Sequence, residues 1–315
     1  MAFLQPRFPL AQLPTPLHRA HRLEAALGVG PLLLKRDDLI GFGLAGNKTR
    51  PLEFLLGAAR AEGADVFVTG GGPGSNFCPA AAMAARAAGL DCELVVWGDP
   101  AGAPNLALAV AAGATLIPTG DTNREAVDVL VAERAATLRA AGRRPYAVPR
   151  GGSTALGAVG FAAAAVELAQ QLDEEPALIV LAVGSGGSSA GLMAGLAAAG
   201  LDTPVLGVSV SRPPAEIAAH VQELAAGCAA LLGTPAPRAP EIIDARGPGF
   251  GTATRRERER ARLALHTEGL LLDETYGAEA FSAAVDQLEA GSGPVLYWHT
   301  GGLLPATTSI MKGTT

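Results

Sequence analysis

Cysteine is scarce in this sequence: Cys78, Cys92 and Cys228 are the only three in 315 residues. An odd number with no CxxC pair argues against a disulfide framework and against a structural zinc site. No metal is expected. Aromatic residues are also few, 4% of the chain, although 49% is hydrophobic. The core must then rest on small aliphatic side chains, and the 40 glycines imply close helix and strand contacts. Excess positive charge is absent too. A net charge of −6 argues against nucleic acid as a partner, because phosphate binding needs a basic face. The one dense charge run, Arg255-Arg256-Glu257-Arg258-Glu259-Arg260, alternates in sign and reads as a solvated helix face. Long apolar runs are missing as well. Gly, Pro or charge breaks each before membrane-spanning length, and no basic segment followed by an apolar stretch opens the chain. No membrane partner is expected, and a cytoplasmic location is the default.

The length suits one large domain or two ordinary ones. Short apolar runs alternate with Ala-rich helical stretches. Residues 66–69, 93–97, 115–118 and 145–148 read as strands, with helices expected over 80–88, 106–113 and 122–141. After a break at Pro149-Arg150-Gly151-Gly152-Ser153 the pattern resumes: helices over 157–172 and 191–199, strands over 177–183 and 205–210. Runs at 270–276 and 295–302 read as strands that end in polar turns. Continuous apolar strands between helices imply parallel sheets covered on both faces. Two α/β units with a cleft between them fit best.

Four segments carry chemistry. Lys48 follows the turn Gly41-Phe42-Gly43-Leu44-Ala45-Gly46-Asn47 and opens a helical run. A lysine desolvated at a cleft loses its proton more readily and becomes a nucleophilic amine, as Schiff-base chemistry requires. Gly184-Ser185-Gly186-Gly187-Ser188 joins a strand to a helix. Its unpaired N–H groups and the helix dipole would cradle a phosphate. A tight turn that binds nothing is the alternative. No Gly-Lys-Ser/Thr follows, so a nucleotide P-loop is excluded. Ser75 and Asn76 open a helix after Gly70-Gly71-Gly72-Pro73-Gly74. They either cap it or meet a ligand. Tyr276 and Thr300 end the last two apolar runs, where open α/β sheets bind ligands. His299 suits either a base or a structural role.

Taken in order, these segments resemble the fold-type II enzymes dependent on pyridoxal phosphate. Within them the chain is similar to the 1-aminocyclopropane-1-carboxylate deaminase and D-cysteine desulfhydrase family. Further landmarks are Leu13-Pro14-Thr15-Pro16-Leu17, Lys35-Arg36-Asp37-Asp38, Gly46-Asn47-Lys48-Thr49-Arg50, Gly151-Gly152-Ser153, Asp244 with Gly247-Pro248-Gly249-Phe250-Gly251, Leu272-Asp273 and His299-Thr300-Gly301-Gly302. The resemblance implies a tryptophan synthase β-like fold: two open parallel-sheet domains with helices on both faces and the active site in the cleft between them. Residues 1–46 and 151–315 would form the large domain that binds the cofactor, and 47–150 the small one. It also implies a homodimer.

By the same resemblance Lys48 carries pyridoxal phosphate as a Schiff base, and Gly184, Ser185, Gly186, Gly187 and Ser188 hold its phosphate. Asn76 meets the ring hydroxyl and Thr300 the pyridine nitrogen. Lys48, Ser75 and Tyr276 are the catalytic set. Ser75, Asn76, Phe77, Phe250 and Tyr276 face a small amino acid substrate. The implied reaction is Cα deprotonation, then β-elimination or ring opening, with release of a keto acid and ammonia. The chain departs from the family at Gly74, Phe77, Pro79, Phe250 and Gly277-Ala278-Glu279, around the expected substrate. Phe250 replaces a family tyrosine that is expected to assist ring opening, so a specialised lyase is the preferred expectation. β-Replacement, racemisation and non-catalytic binding of pyridoxal phosphate or an amino acid remain as alternatives.

Overall fold

Side chains alternate along the strands so that apolar residues bury both faces of two separate sheets. The computed structural model describes residues 3–120, 123–247 and 249–312. Thr122 and Pro248, expected at a helix start and within a glycine landmark, lie outside the described residues. The strands are β1 (Leu17–Arg19), β2 (Leu32–Arg36), β3 (Val66–Gly71), β4 (Asp91–Val96), β5 (Ala114–Pro118), β6 (Pro145–Ala147), β7 (Leu178–Val183), β8 (Val205–Ser209), β9 (Glu241–Asp244) and β10 (Val295–His299). The helices are α1 (His21–Leu27), α2 (Thr49–Ala61), α3 (Phe77–Ala87), α4 (Pro104–Ala111), α5 (Val127–Ala140), α6 (Ala155–Gln171), α7 (Gly187–Ala199), α8 (Pro214–Leu232), α9 (Arg255–Glu268), α10 (Gly277–Glu289) and α11 (Leu303–Met311).

One sheet has the order β1-β2-β10-β7-β8-β9, the other β5-β4-β3-β6. All pairings are parallel except that of β1 with β2. In the six-stranded sheet Ile179, Leu181, Leu296 and Trp298 join α6, α7 and α8 in one core. Leu178, Val180, Val295 and Tyr297 face the opposite core with α10. In the four-stranded sheet Phe67 packs with α2 and α3, whereas Val66 and Val68 meet α5. This is the two-residue period of a strand buried on both sides. The expected fold class is therefore the observed one, with an antiparallel edge at β1.

Abundant Ala and Gly serve the contact of α6 with α7. A Cβ at Gly191 would overlap the Ala158 carbonyl, and one at Gly195 would lie 2.5 Å from Ala162 Cα. The three cysteines are buried and free. No helix among the described residues is long and apolar enough to cross a membrane.

Several expectations shift. Leu270–Tyr276 is not a strand. Both sides of β10 are already paired, and Leu270 and Leu272 are buried beside Ala264 and Phe281 instead. Helices α3, α6 and α7 begin earlier than expected, at Phe77, Ala155 and Gly187, and in α7 the glycine and serines of the loop form the first turn. The 295–302 run stops being strand at His299. Helix α5 is preceded by a 3-10 turn at Arg124–Ala126, capped by the Asn123 side chain. The charge run is solvated except at Arg260, which is buried against Ser282, Asp286 and Glu289.

Candidate active site

Lys48 ends a short 3-10 turn, Gly46–Lys48, just before α2. Two features fix its backbone. Asn47 N donates to the Thr300 carbonyl at 2.9 Å. Two residues on, Arg50 is buried and donates to both Asp37 oxygens, 2.8 and 2.7 Å, and to Glu167 at 3.0 Å. Lys35 and Thr15 complete this buried network. Burial opposes ionisation of Glu167, but Arg50 and Lys35 outweigh it and hold the carboxyl well below its usual range. The Lys48 amine has no hydrogen-bond or ion-pair partner among the described residues. Burial alone lowers its pKa to about 8, so a neutral amine is accessible near physiological pH.

This amine lines a cavity of about 520 Å³ between the two sheets, and Lys48, Ser75, Asn76, Phe77, Gly184, Ser185, Gly186, Gly187, Ser188, Phe250, Tyr276 and Thr300 all line it. Every residue expected at the site is thus brought to one cavity.

The glycine loop leaves β7 and enters α7 through Gly186, whose φ of 92° suits a residue without a Cβ. The first helical bond runs from Ala190 N to Gly186 O. The N–H groups of Gly187, Ser188 and Ser189 therefore have no partner inside the helix. A Cβ at Gly187 would lie 2.9 Å from Ser153 Oγ. Ser153 in turn donates to Ser185 Oγ at 2.7 Å, and Asn47 Nδ2 donates to Ser188 Oγ at 3.1 Å. The loop is held from both sides before any ligand arrives.

Ser75 and Asn76 precede α3. Ser75 Oγ accepts weakly from Cys78 N at 3.4 Å, so part of the capping reading holds. Asn76 makes no cap bond. Its Oδ1 accepts from Asn105 Nδ2 at 3.0 Å, which leaves Nδ2 uncommitted at the cavity. Phe77 is 2% exposed. Most of its ring belongs to the core around α2 and α3, and only its edge reaches the wall.

Tyr276 stands at the start of α10. The Asp273 carboxylate below it accepts from the backbone of Thr275, Tyr276 and Gly277, each at 3.1 Å. Burial raises Asp273 to about 6 despite these donors. Burial, with Asp273 and Glu279 nearby, raises the Tyr276 hydroxyl far above its ordinary value. Phe250 lies edge-on to Tyr276, ring centres 6.1 Å apart, and is 52% exposed. His299 is buried outside the cavity wall. Its Nδ1 accepts from Gly301 N at 3.3 Å, and burial lowers its pKa. The structural reading of this histidine is the one that fits.

Other residues share the cavity without having been expected there: Trp97, Arg124, Asp128, Arg150, Arg212 and His220. Arg150 lies in the glycine-rich break, which signalled a turn but not a side chain facing the cleft. Asn105 sits in an apolar helix, and nothing in its neighbours marks its bond to Asn76.

The site fits pyridoxal phosphate. A partnerless amine, a helix N-terminus reached through a crowded glycine loop, and an oriented side-chain amide share one cavity of sufficient size. Comparison with known proteins agrees. Residues 9–301 match the family model described as pyridoxal-phosphate dependent enzyme. A protein named D-cysteine desulfhydrase from Salmonella newport is 36% identical over 310 residues, 94% of each chain, and its Salmonella choleraesuis counterpart is equally similar. The crystal structure of an ACC deaminase homologue superimposes with a TM-score of 0.93 at 32% identity, covering 98% of this chain and 95% of that one. A fungal L-serine ammonia-lyase from Rhizomucor miehei, at 22% identity and a TM-score of 0.69 over 96% of this chain and 98% of that one, shares the fold. With the match spanning nearly the whole sequence, this chain belongs to the pyridoxal-phosphate dependent enzyme family.

Proposed function

We propose that this protein is a lyase or deaminase that releases ammonia and a keto acid from a small amino acid bearing a leaving group at Cβ, in the manner of the D-cysteine desulfhydrases it is similar to. The observation that carries this reading is the half-buried Lys48 amine, partnerless among the described residues and with its pKa lowered by desolvation, in the same cavity as the glycine cradle. Lys48 would hold pyridoxal phosphate. Gly184, Ser185, Gly186, Gly187 and Ser188 would hold its phosphate, Asn76 its ring hydroxyl and Thr300 its pyridine nitrogen. When bound, the cofactor supplies an electron sink for negative charge at Cα.

The protein supplies position and proton control. With a pKa of about 8, the Lys48 amine is suited to take the Cα proton near neutral pH. The Ser75–Asn76 turn would receive the substrate carboxylate. Tyr276 keeps its proton, because burial and Asp273 oppose ionisation; it can donate a hydrogen bond but does not serve as the base. Phe250, edge-on to that tyrosine, brings no second hydroxyl, which favours β-elimination over ring opening. Phe77 contributes only shape. The same reading takes residues 47–150 as a small domain and 1–46 with 151–315 as a large one, a division that the separate four-stranded and six-stranded sheets support. A cytoplasmic homodimer goes with it, and sedimentation equilibrium tests the dimer.

The deciding experiment is the visible spectrum of the purified protein with added pyridoxal phosphate, followed by titration with D- and L-amino acids. A yellow band that borohydride fixes on Lys48, and that a small amino acid displaces with release of ammonia, is expected. Lys48→Ala should lose turnover while keeping its far-ultraviolet circular dichroism. Normal turnover in that variant, or no band in the native protein, would sink the assignment.

A further inference from the structure

The cavity has a cationic wall that the roles above leave unused. Arg124, Arg150 and Arg212 all line it. Arg150 is held by Asp128, N to Oδ1 at 2.8 Å and Nε to Oδ2 at 3.1 Å, and by Glu125 at 3.2 Å. Arg212 has one long ion pair, 3.7 Å to Glu216. Arg124 reaches across the cleft: Nε donates to Glu125 Oε1 at 3.0 Å, and Nη2 to the Ser211 carbonyl at 3.1 Å. Of the carboxylates paired with these arginines only Asp128 lines the cavity; Asp273 also lines it but is taken up by the backbone of Thr275, Tyr276 and Gly277. The Glu125 and Glu216 side chains are 57% and 58% exposed. The positive ends therefore turn inward and most of the negative ends outward, which focuses a positive potential into the cleft.

Resting on the lyase reading above, we propose that Arg124 is a specificity-determining residue that binds an anionic group at the far end of the substrate side chain, so that the preferred substrate is an amino acid whose leaving group at Cβ is anionic, aspartate and glutamate serving as non-eliminating analogues of it. Among the described residues, two of the five guanidinium N–H groups are used, by Glu125 and Ser211. Those left on Nη1 and Nη2 form the end-on edge that grips a carboxylate or sulfinate by two bonds. The α-carboxylate already has a seat at the Ser75–Asn76 turn, so this edge serves a second anion. Its location suits that role. Arg124 and Tyr276 both line the cavity, and the half-exposed ring of Phe250, edge-on to Tyr276, adds an apolar wall. His220 also lines the cavity, its ring beside Gly186 of the glycine loop. Burial lowers its pKa, reinforced by Arg212 and Arg150 and opposed by Glu223 and Asp128, so the arginines carry the charge.

An oxyanion here could also be the cofactor phosphate, and the test separates the two. The native holoenzyme and Arg124→Gln are titrated with aspartate and asparagine, then glutamate and glutamine, in both enantiomers, by the change in the visible band. Cofactor affinity is measured separately by adding pyridoxal phosphate to each resolved protein. The native enzyme should bind one acid about tenfold or more tighter than its amide. In Arg124→Gln that ratio should fall to near one with cofactor affinity within about twofold, and Arg124→Lys should restore part of it. Equal affinity for acid and amide in the native enzyme overturns the inference, as does a ratio that survives in Arg124→Gln. Loss of cofactor affinity in that variant assigns Arg124 to the phosphate and also overturns it. If none of the four changes the band while another small amino acid does, the inference falls and the lyase reading stands; if no amino acid at all changes it, the lyase reading falls as well.

Discussion

Glu279 is buried at the start of α10, 2% exposed, and its Oε2 has no hydrogen-bond partner among the described residues. Burial, with Glu257 and Asp273 nearby, raises its pKa from 4.5 to about 9. The folded protein therefore holds this proton where the unfolded chain has released it. The stability it carries is full below about pH 4.5 and falls as pH rises, until the folded group ionises near 9. Glu279→Gln keeps the shape without that proton linkage. Urea denaturation should show the variant close to the native protein at pH 5 and more stable by about 5 kcal/mol at pH 9. Parallel stability curves at the two pH values would mean that Glu279 is paired in solution. Lys48 and Glu279 illustrate one rule with opposite signs: burial disfavours charge, so it lowers an ammonium and raises a carboxyl.

Among the elements, α6 and α7 depend on what their glycines lack. The helices approach so closely that a methyl group at Gly191 would overlap the Ala158 carbonyl. Gly191→Ala should force them apart and cost about 2–3 kcal/mol, read as a lower urea midpoint. A midpoint unchanged within error would show that the contact can relax freely. This helix pair also shows what is legible in the chain. Turns such as Gly184–Ser188 and Gly70–Gly74 announce themselves, because only glycine tolerates the conformation or the close approach, and this leaves a mark in the letters. The run at Leu270–Asp273 does not, since a short continuous apolar run looks the same whether a ladder or a helix covers it. Arg124 is silent for another reason. Its partner Ser211 is 87 residues away, and no local pattern records a contact made by folding.

Across the whole molecule, the two sheets are tied together away from the cleft. Arg50 on α2 grips Asp37 and Glu167, and Phe54 on α2 joins the core of the six-stranded side. Each side carries one of the two tryptophans: Trp97 follows β4 and Trp298 lies in β10. With so much shared burial, the units should melt as one. Trp97→Phe and Trp298→Phe each leave a single reporter, and their fluorescence melts should coincide. Pyridoxal phosphate at about 100 times its Kd should stabilise both by about 2.7 kcal/mol. Separate midpoints for the two reporters would show that the sides unfold independently. The bond from Asn47 to Ser188 has a quieter consequence. It ties the neighbour of the reactive amine to the cradle, so the span between the two seats is set during folding. The protein acts as a ruler: an analogue whose phosphate arm is one carbon too long or too short must either break that bond or leave one seat empty.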